Sequence, residues 1–332
     1  MKGKKKYQPW LYSFPALVLI GIIIVFPILY TGYISLTNMN LFHWLDYKVI
    51  GLENFRRALF KVDSGFLKAL LVTLVWTAVN MVLQTVMAYF IALGLNAPGL
   101  KARRLYKTLL MFPWAMPAYV SILLWRVGMY NTEFGLINKF AGIIGLPKVN
   151  FLSENIPAFL SCMVLNLWMA LPFMIMMFDG ALQSIDKCYY ESAKLDGAGF
   201  LQQNISITVP FIKPIMAPAV IMTTFTTFKQ FDIFYLLTMQ KGAYTGATIQ
   251  TIITYAYKNA FVSNNYGLSS AVSIIIFAII IVLSLVTNRG VGDEQMDGMA
   301  RHGRAKYRRR GTAAEGRRTK GVRRNEDNHE KA

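Results

Sequence analysis

Residues Leu11 to Tyr33 read LYSFPALVLIGIIIVFPILYTGY, with no charged side chain. The run is about 23 residues, enough to cross a ~30 Å hydrocarbon layer at ~1.5 Å rise per residue. It follows the basic start Met1-Lys2-Gly3-Lys4-Lys5-Lys6. A cleaved signal peptide has a shorter apolar region followed by small residues at a cut site. The run therefore reads as a retained first membrane span.

Five further apolar blocks follow: Phe66–Leu95, Leu105–Tyr130, Ile156–Gly180, Ile207–Leu237 and Leu268–Thr287. Each is long enough to span as a helix, which satisfies its own backbone hydrogen bonds. The expected fold is all-α: a polytopic membrane bundle of about six transmembrane helices with one short cytoplasmic helix. Some blocks exceed the hydrocarbon thickness, so tilted or interrupted helices are expected. Overall, 55% of the 332 residues are hydrophobic, arranged in blocks rather than along amphipathic elements. The organisation reads as a basic cytoplasmic N-terminus (1–10), one transmembrane domain (11–288) and a basic, disordered cytoplasmic tail (289–332).

The net charge of +18 sits at the two ends and in one internal loop. That pattern fits anchoring beside anionic lipid and not nucleic-acid binding, which needs a folded basic face. By the positive-inside rule, Lys2, Lys4, Lys5 and Lys6 stay in the cytoplasm. An even number of spans then places the loop Asn96–Arg104, with Lys101, Arg103 and Arg104, inside; Lys107 adds to it. The Arg-rich tail also falls inside. Against this stands the first outer loop, with Lys48, Arg56, Arg57 and Lys61 only partly offset by Asp46, Glu53 and Asp63.

The two cysteines, Cys162 and Cys188, make no disulfide framework, and His43, His302 and His329 are scattered. No metal site is expected. There is no G-x-x-x-x-G-K-[ST] loop, no G-x-S-x-G and no H-E-x-x-H. The chain is expected to bind no cofactor and to be no enzyme.

Pro113 and Pro117 fall inside the third block, Pro172 inside the fourth, and Pro210, Pro214 and Pro218 inside the fifth. Such breaks mark either a transport path or kinked packing. Arg126, Asp179, Lys213, Lys229 and Asp232 are the ionisable residues in or at the edges of spans. Arg126, Asp179 and Lys213 lie near span ends, where snorkelling suffices. Lys229 and Asp232, three apart, are expected to share a helix face and pair, or else to serve transport. Asn80, Gln84, Asn166, Trp168, Gln230 and Tyr235 are polar or aromatic within spans. With Asp232 they suit a sugar path, because a pyranose has hydroxyl edges and an apolar face. The same residue types also make interhelical hydrogen bonds.

Between the fourth and fifth blocks lies Glu191-Ser192-Ala193-Lys194-Leu195-Asp196-Gly197-Ala198-Gly199, followed by Ile207-Thr208-Val209-Pro210. Tyr189 to Leu195 reads as a short helix. Gly197 is free to take φ > 0 in the turn, and Asp196 is able to cap the next helix. That second short helix then leads into the next span.

This segment, about 186–210, resembles the EAA motif of the permeases of ATP-driven (ABC) importers. Glu191, Ala193, Asp196, Gly197, Ala198, Ile207 and Pro210 match; Ser192 and Asp186 depart from it, and Asn204 and Ile205 replace frequent aromatics. Gly51-Leu52-Glu53-Asn54-Phe55, Gly135-Leu136-Ile137-Asn138, Phe231 to Thr238 and Tyr266 to Ala271 resemble the carbohydrate-uptake branch, the maltose and glycerol-phosphate type. Met239-Gln240-Lys241-Gly242 replaces its usual Gly-Gly-Pro. The resemblance implies a subunit in the bacterial cytoplasmic membrane, passing an oligosaccharide or related carbohydrate. Its implied partners are a second homologous permease, a pair of ABC ATPases, an extracytoplasmic sugar-binding protein and membrane lipid. Glu191, Ser192, Ala193, Asp196, Gly197 and Ala198 would couple to the ATPase. The main alternative is an ion-coupled secondary transporter. That reading predicts inverted repeats and deep carboxylates, of which Asp232 is the one candidate.

Overall fold

The computed structural model describes residues 8–60, 65–239 and 249–285. The basic residues 1–7, the tail from 289 and the expected end of the last span at Thr287 lie outside them. Among the described residues the chain is helical, and its β-pairing is the isolated bridge between Thr37 and Val49. The helices are α1 (8–35), α2 (Glu53–Phe60), α3 (Phe66–Leu95), α4 (Arg103–Ala115), α5 (Ala118–Met129), α6 (Leu136–Ile143), α7 (Asn155–Gln183), α8 (Lys187–Leu195), α9 (200–228), α10 (232–239), α11 (Ile252–Phe261) and α12 (Tyr266–Leu285). Five stretches are long and apolar enough to cross a membrane, or six if α4 and α5 are one broken span.

The third expected span is thus broken: α4 and α5 meet at a 91° bend. The cause is local. Met116 precedes Pro117 and is extended, at φ −80° and ψ 141°. A residue before proline is pushed out of the helical region by the ring. Pro172, by contrast, is absorbed inside α7, and Pro214 and Pro218 inside α9. The fifth block is also interrupted. Helix α9 ends at Phe228 and a new helix starts at Asp232. Lys229 and Asp232 therefore do not share one helix face, and among the described residues no ion pair joins them.

Helices α3 and α7 form the most extensive pair. On α3 the buried residues Ala69, Thr73, Trp76, Asn80, Gln84, Ala88 and Ala92 recur every three or four positions, a stripe of mainly small side chains on one face. Small residues let backbones approach, which matters where lipid supplies no hydrophobic drive. Helix α1 is different. None of its span window is buried against the rest of the chain.

One end of the bundle is fastened by charge. Asp179, in the last turns of α7, is 4% exposed. It accepts from Arg103 at 2.8 Å, from Lys107, from Asn96 at 2.8 Å and from Gln183 at 2.7 Å. Snorkelling does not describe it: the carboxylate is enclosed and joins the end of α3, the start of α4 and the end of α7. Around it pack Ala92 and Leu95 of α3, Phe178 of α7 and Ile212 and Met216 of α9.

Asp179→Asn keeps the shape and leaves two cations without a counter-charge. The expected loss is about 2 kcal/mol, less than for a fully enclosed pair, because Arg103 and Lys107 still reach water. Thermal unfolding in detergent measures it, and an unchanged midpoint would show that the cluster adds nothing.

Candidate coupling and translocation sites

The segment after Asp179 begins with Asp186, whose carboxylate accepts from Cys188 N at 3.0 Å and caps α8. At the other end Gly197 has φ +81°. Its N–H donates to Lys194 O at 3.1 Å, while Ala198 N donates to Ala193 O at 2.8 Å. This pair of bonds is the Schellman arrangement, which only a residue tolerant of φ > 0 completes without strain. The expected helix and turn are present, but Asp196 takes another role. It is the C-cap residue of α8, and Gly199 sits at the N-cap of α9. The reason is geometric: the turn needs two further residues after Asp196 before the chain re-enters a helix.

Two side-chain bonds brace α8 and its turn against the start of α9, and a third ties that start to α3. Tyr190 and Thr208 hydroxyls lie 3.0 Å apart, Gln203 donates to Ala198 O at 2.7 Å, and Tyr89 of α3 donates to Asn204 at 2.9 Å. Glu191, Ser192, Asp196 and Gly197 face outward, and Ala193 and Ala198 are half-buried. Leu195 and Phe200 are 90% and 73% exposed. The result is a braced helix–turn–helix whose outer surface sets exposed Leu195 and Phe200 among charged and polar side chains.

The second region is the interruption at 229–231. Trp76 lies ten residues into α3, which begins at Phe66. That is about 15 Å along the axis, or half of the hydrocarbon layer. Its indole N–H donates to Thr227 O at 3.2 Å. Counted from the start of α3, the interruption thus lies about half a hydrocarbon thickness into the bundle. Beyond it, Arg126 of α5 donates to Leu236 O at 2.9 Å. Arg126 is half-buried and turned inward onto backbone, not snorkelling to a surface.

The seven mid-span residues separate into three settings. Asn80, Gln84 and Asn166 are enclosed. Asn166 donates to Asn80 at 2.8 Å and Asn80 to Trp76 O at 2.9 Å, so these two amides join α3 to α7. The Gln84 amide meets no hydrogen-bond partner among the described residues. Trp168 is half-buried, its ring 5.4 Å from that of Trp125. Gln230, Asp232 and Tyr235 lie at the interruption, with Asp232 exposed and the other two half-buried.

An aromatic shelf adjoins them. Phe231 stacks on Tyr235 at 5.0 Å, Tyr257 of α11 lies 5.0 Å from both, and Phe261 lies 4.8 Å beyond Tyr257. The Tyr257 hydroxyl donates to that of Tyr235 at 3.3 Å. A groove of about 350 Å³ borders Phe231, Tyr257 and Phe261. Rings with exposed hydroxyls offer both a stacking face and polar handles. In the sequence Phe231 stands out only through the family resemblance of 231–238, and Tyr257 and Phe261 do not stand out. The four-residue spacing of Tyr257 and Phe261 was the available signal, hidden because α11 is short and no span.

Residues 84–291 match the family described as "Binding-protein-dependent transport system inner membrane component". The chain is similar to the trehalose/maltose transport system permease protein MalF of Thermococcus litoralis. The two are 32% identical over 291 residues, covering 86% of this chain and 95% of that protein. It is similar also to the galactooligosaccharides transport system permease protein GanP of Bacillus subtilis, at 31% over 300 residues, 85% of this chain and 71% of that one. Among solved structures, a bacterial ABC transporter involved in the import of the acidic polysaccharide alginate has a chain of the same fold. The TM-score is 0.73 at 21% identity, over 87% of this chain and 96% of that one. With helices of membrane-spanning length and a family match over more than half its length, the chain belongs to the inner-membrane components of binding-protein-dependent transport systems.

Proposed function

We propose that the chain is one of two permease subunits of an ATP-driven importer, and that its substrate is an oligosaccharide or related carbohydrate. The observation that carries this is the pairing of an outward-facing α8 turn at one end with an aromatic shelf at a helix interruption within the bundle. The names of the related proteins, transporters of maltose, trehalose and galactooligosaccharides, support the substrate class. In this reading Glu191, Ser192, Ala193, Asp196, Gly197 and Ala198 form the surface on which an ATPase subunit docks. Gln230, Asp232 and Tyr235, joined by Phe231 and Tyr257, line the sugar path. Asn80 and Asn166 act by holding α3 to α7.

The permease unit of about 11–288 lies in the cytoplasmic membrane with both termini inside. Supporting this orientation, the basic residues Arg103 and Lys107 share an end of the bundle with α8, through Asp179. The bare flanks of α1 suit packing on a second permease. An extracytoplasmic binding protein would deliver the sugar to the opposite face.

Gly197→Val places a β-branched residue at φ +81°. The variant is expected to reach the membrane and keep the second permease but to lose the ATPase subunit on purification in mild detergent. Recovery of the wild-type chain alone, under conditions that preserve other complexes, would sink the importer reading. Tyr235→Ala removes one ring of the shelf. Uptake assays should show KM raised about tenfold, equal to ~1.4 kcal/mol, with little change in maximal rate. An unchanged KM would move the sugar path elsewhere.

A further inference from the structure

We infer that the loop 40–49, with helix α2 beside it, is an interfacial anchor seated among anionic lipid headgroups on the membrane face opposite the coupling helix. The loop is ordered. Asn38 N donates to Lys48 O at 3.0 Å, and Lys48 N donates to the Asn38 side chain at 2.6 Å, which closes its base. Asn54 of α2 donates to Ser35 O and Thr37 O at 2.9 and 2.7 Å, which fixes α2 to the end of α1. Yet the tip is apolar and uncovered: Phe42 is 88% exposed and Leu45 92%. Uncovered apolar surface on an ordered loop marks a contact with membrane or protein.

Depth decides between the two. Leu41 N donates to Asn264 O at 3.1 Å and Gly267 N to Met39 O at 2.9 Å. The Trp44 ring meets that of Tyr266 edge-on at 5.1 Å. Asn264 lies two residues before Tyr266, the first residue of the span α12. The loop is therefore pinned at the level where a span leaves the hydrocarbon, the level of the aromatic belt. A loop built to meet a soluble partner would project beyond that level. Gly267 shows how close the pinning is: a Cβ there would stand 2.3 Å from Thr37 O. The charges agree. Arg57 pairs with Glu53 at 3.1 Å, and exposed Lys48 and Arg56 stand against exposed Asp46. Cations at this level meet lipid phosphates. This use of the basic residues also accounts for their presence in a loop that the positive-inside rule would keep neutral.

The test uses the full chain with Cys188→Ser, since Cys162 is buried and Cys188 exposed. Leu45→Cys is labelled with bimane and reconstituted in phosphatidylcholine or phosphatidylglycerol vesicles, with and without brominated acyl chains. Brominated lipid should remove most of the emission and aqueous iodide little of it. Lipid quenching should be stronger in phosphatidylglycerol, and Lys48→Gln with Arg56→Gln should erase that preference. Emission insensitive to brominated lipid would overturn the anchor. That holds whether iodide reaches the label, as for a loop awaiting a soluble partner, or nothing does, as under another subunit.

Discussion

In hydrocarbon every backbone donor and acceptor must find a partner within the protein, because water is absent. The interruption at 229–231 places that demand about half a hydrocarbon thickness into the bundle. The carbonyls on its two sides are met by side chains of other helices, Thr227 O by the Trp76 indole and Leu236 O by the Arg126 guanidinium. Irregular backbone at this depth persists only inside protein or along a cavity. Trp76 and Arg126 thereby hold the irregular backbone in place. The rings of Phe231, Tyr235 and Tyr257 gather at the same interruption, with Phe231 inside it and Tyr235 just beyond it on α10.

The coupling end and the middle of the bundle are built differently. At the coupling end, one enclosed carboxylate, Asp179, joins three helices, two side-chain bonds brace α8 and its turn against the start of α9, and Tyr89 ties that start to α3. Such an end moves as a unit. A push on the turn at Gly197 would be passed to α3, α4 and α7 together, as a rigid-body switch requires. In the middle, the helices are broken at Pro117 and at 229–231.

Much of this was legible in the sequence. The bounds of α3 coincide with the expected Phe66–Leu95, because apolar length alone sets a span. The extended Met116 follows from Pro117, and φ > 0 at Gly197 from the turn it makes. The short stretches that carried the family resemblance also have physical reasons. Asn54 fastens α2, the Asn138 amide exchanges hydrogen bonds with Val149, and Gly267 admits Thr37. What was hidden is tertiary. No proline marks 229–231, and the partner that stabilises it, Trp76, is 151 residues away. Asp179 looks like a span-end carboxylate until Lys107, 72 residues earlier, is placed beside it.

The central claim is that the interruption near Gln230 forms the sugar path and is exposed alternately to the two sides. The direct measurement is thiol accessibility of Gln230→Cys in a Cys188→Ser background, within the assembled transporter, using a membrane-impermeant reagent applied from outside. Trapping the ATPase subunits with ATP and vanadate is expected to raise the labelling rate severalfold, and added oligosaccharide to suppress it. A residue equally unreactive in both states, or reactive but indifferent to nucleotide and sugar, would contradict the assignment.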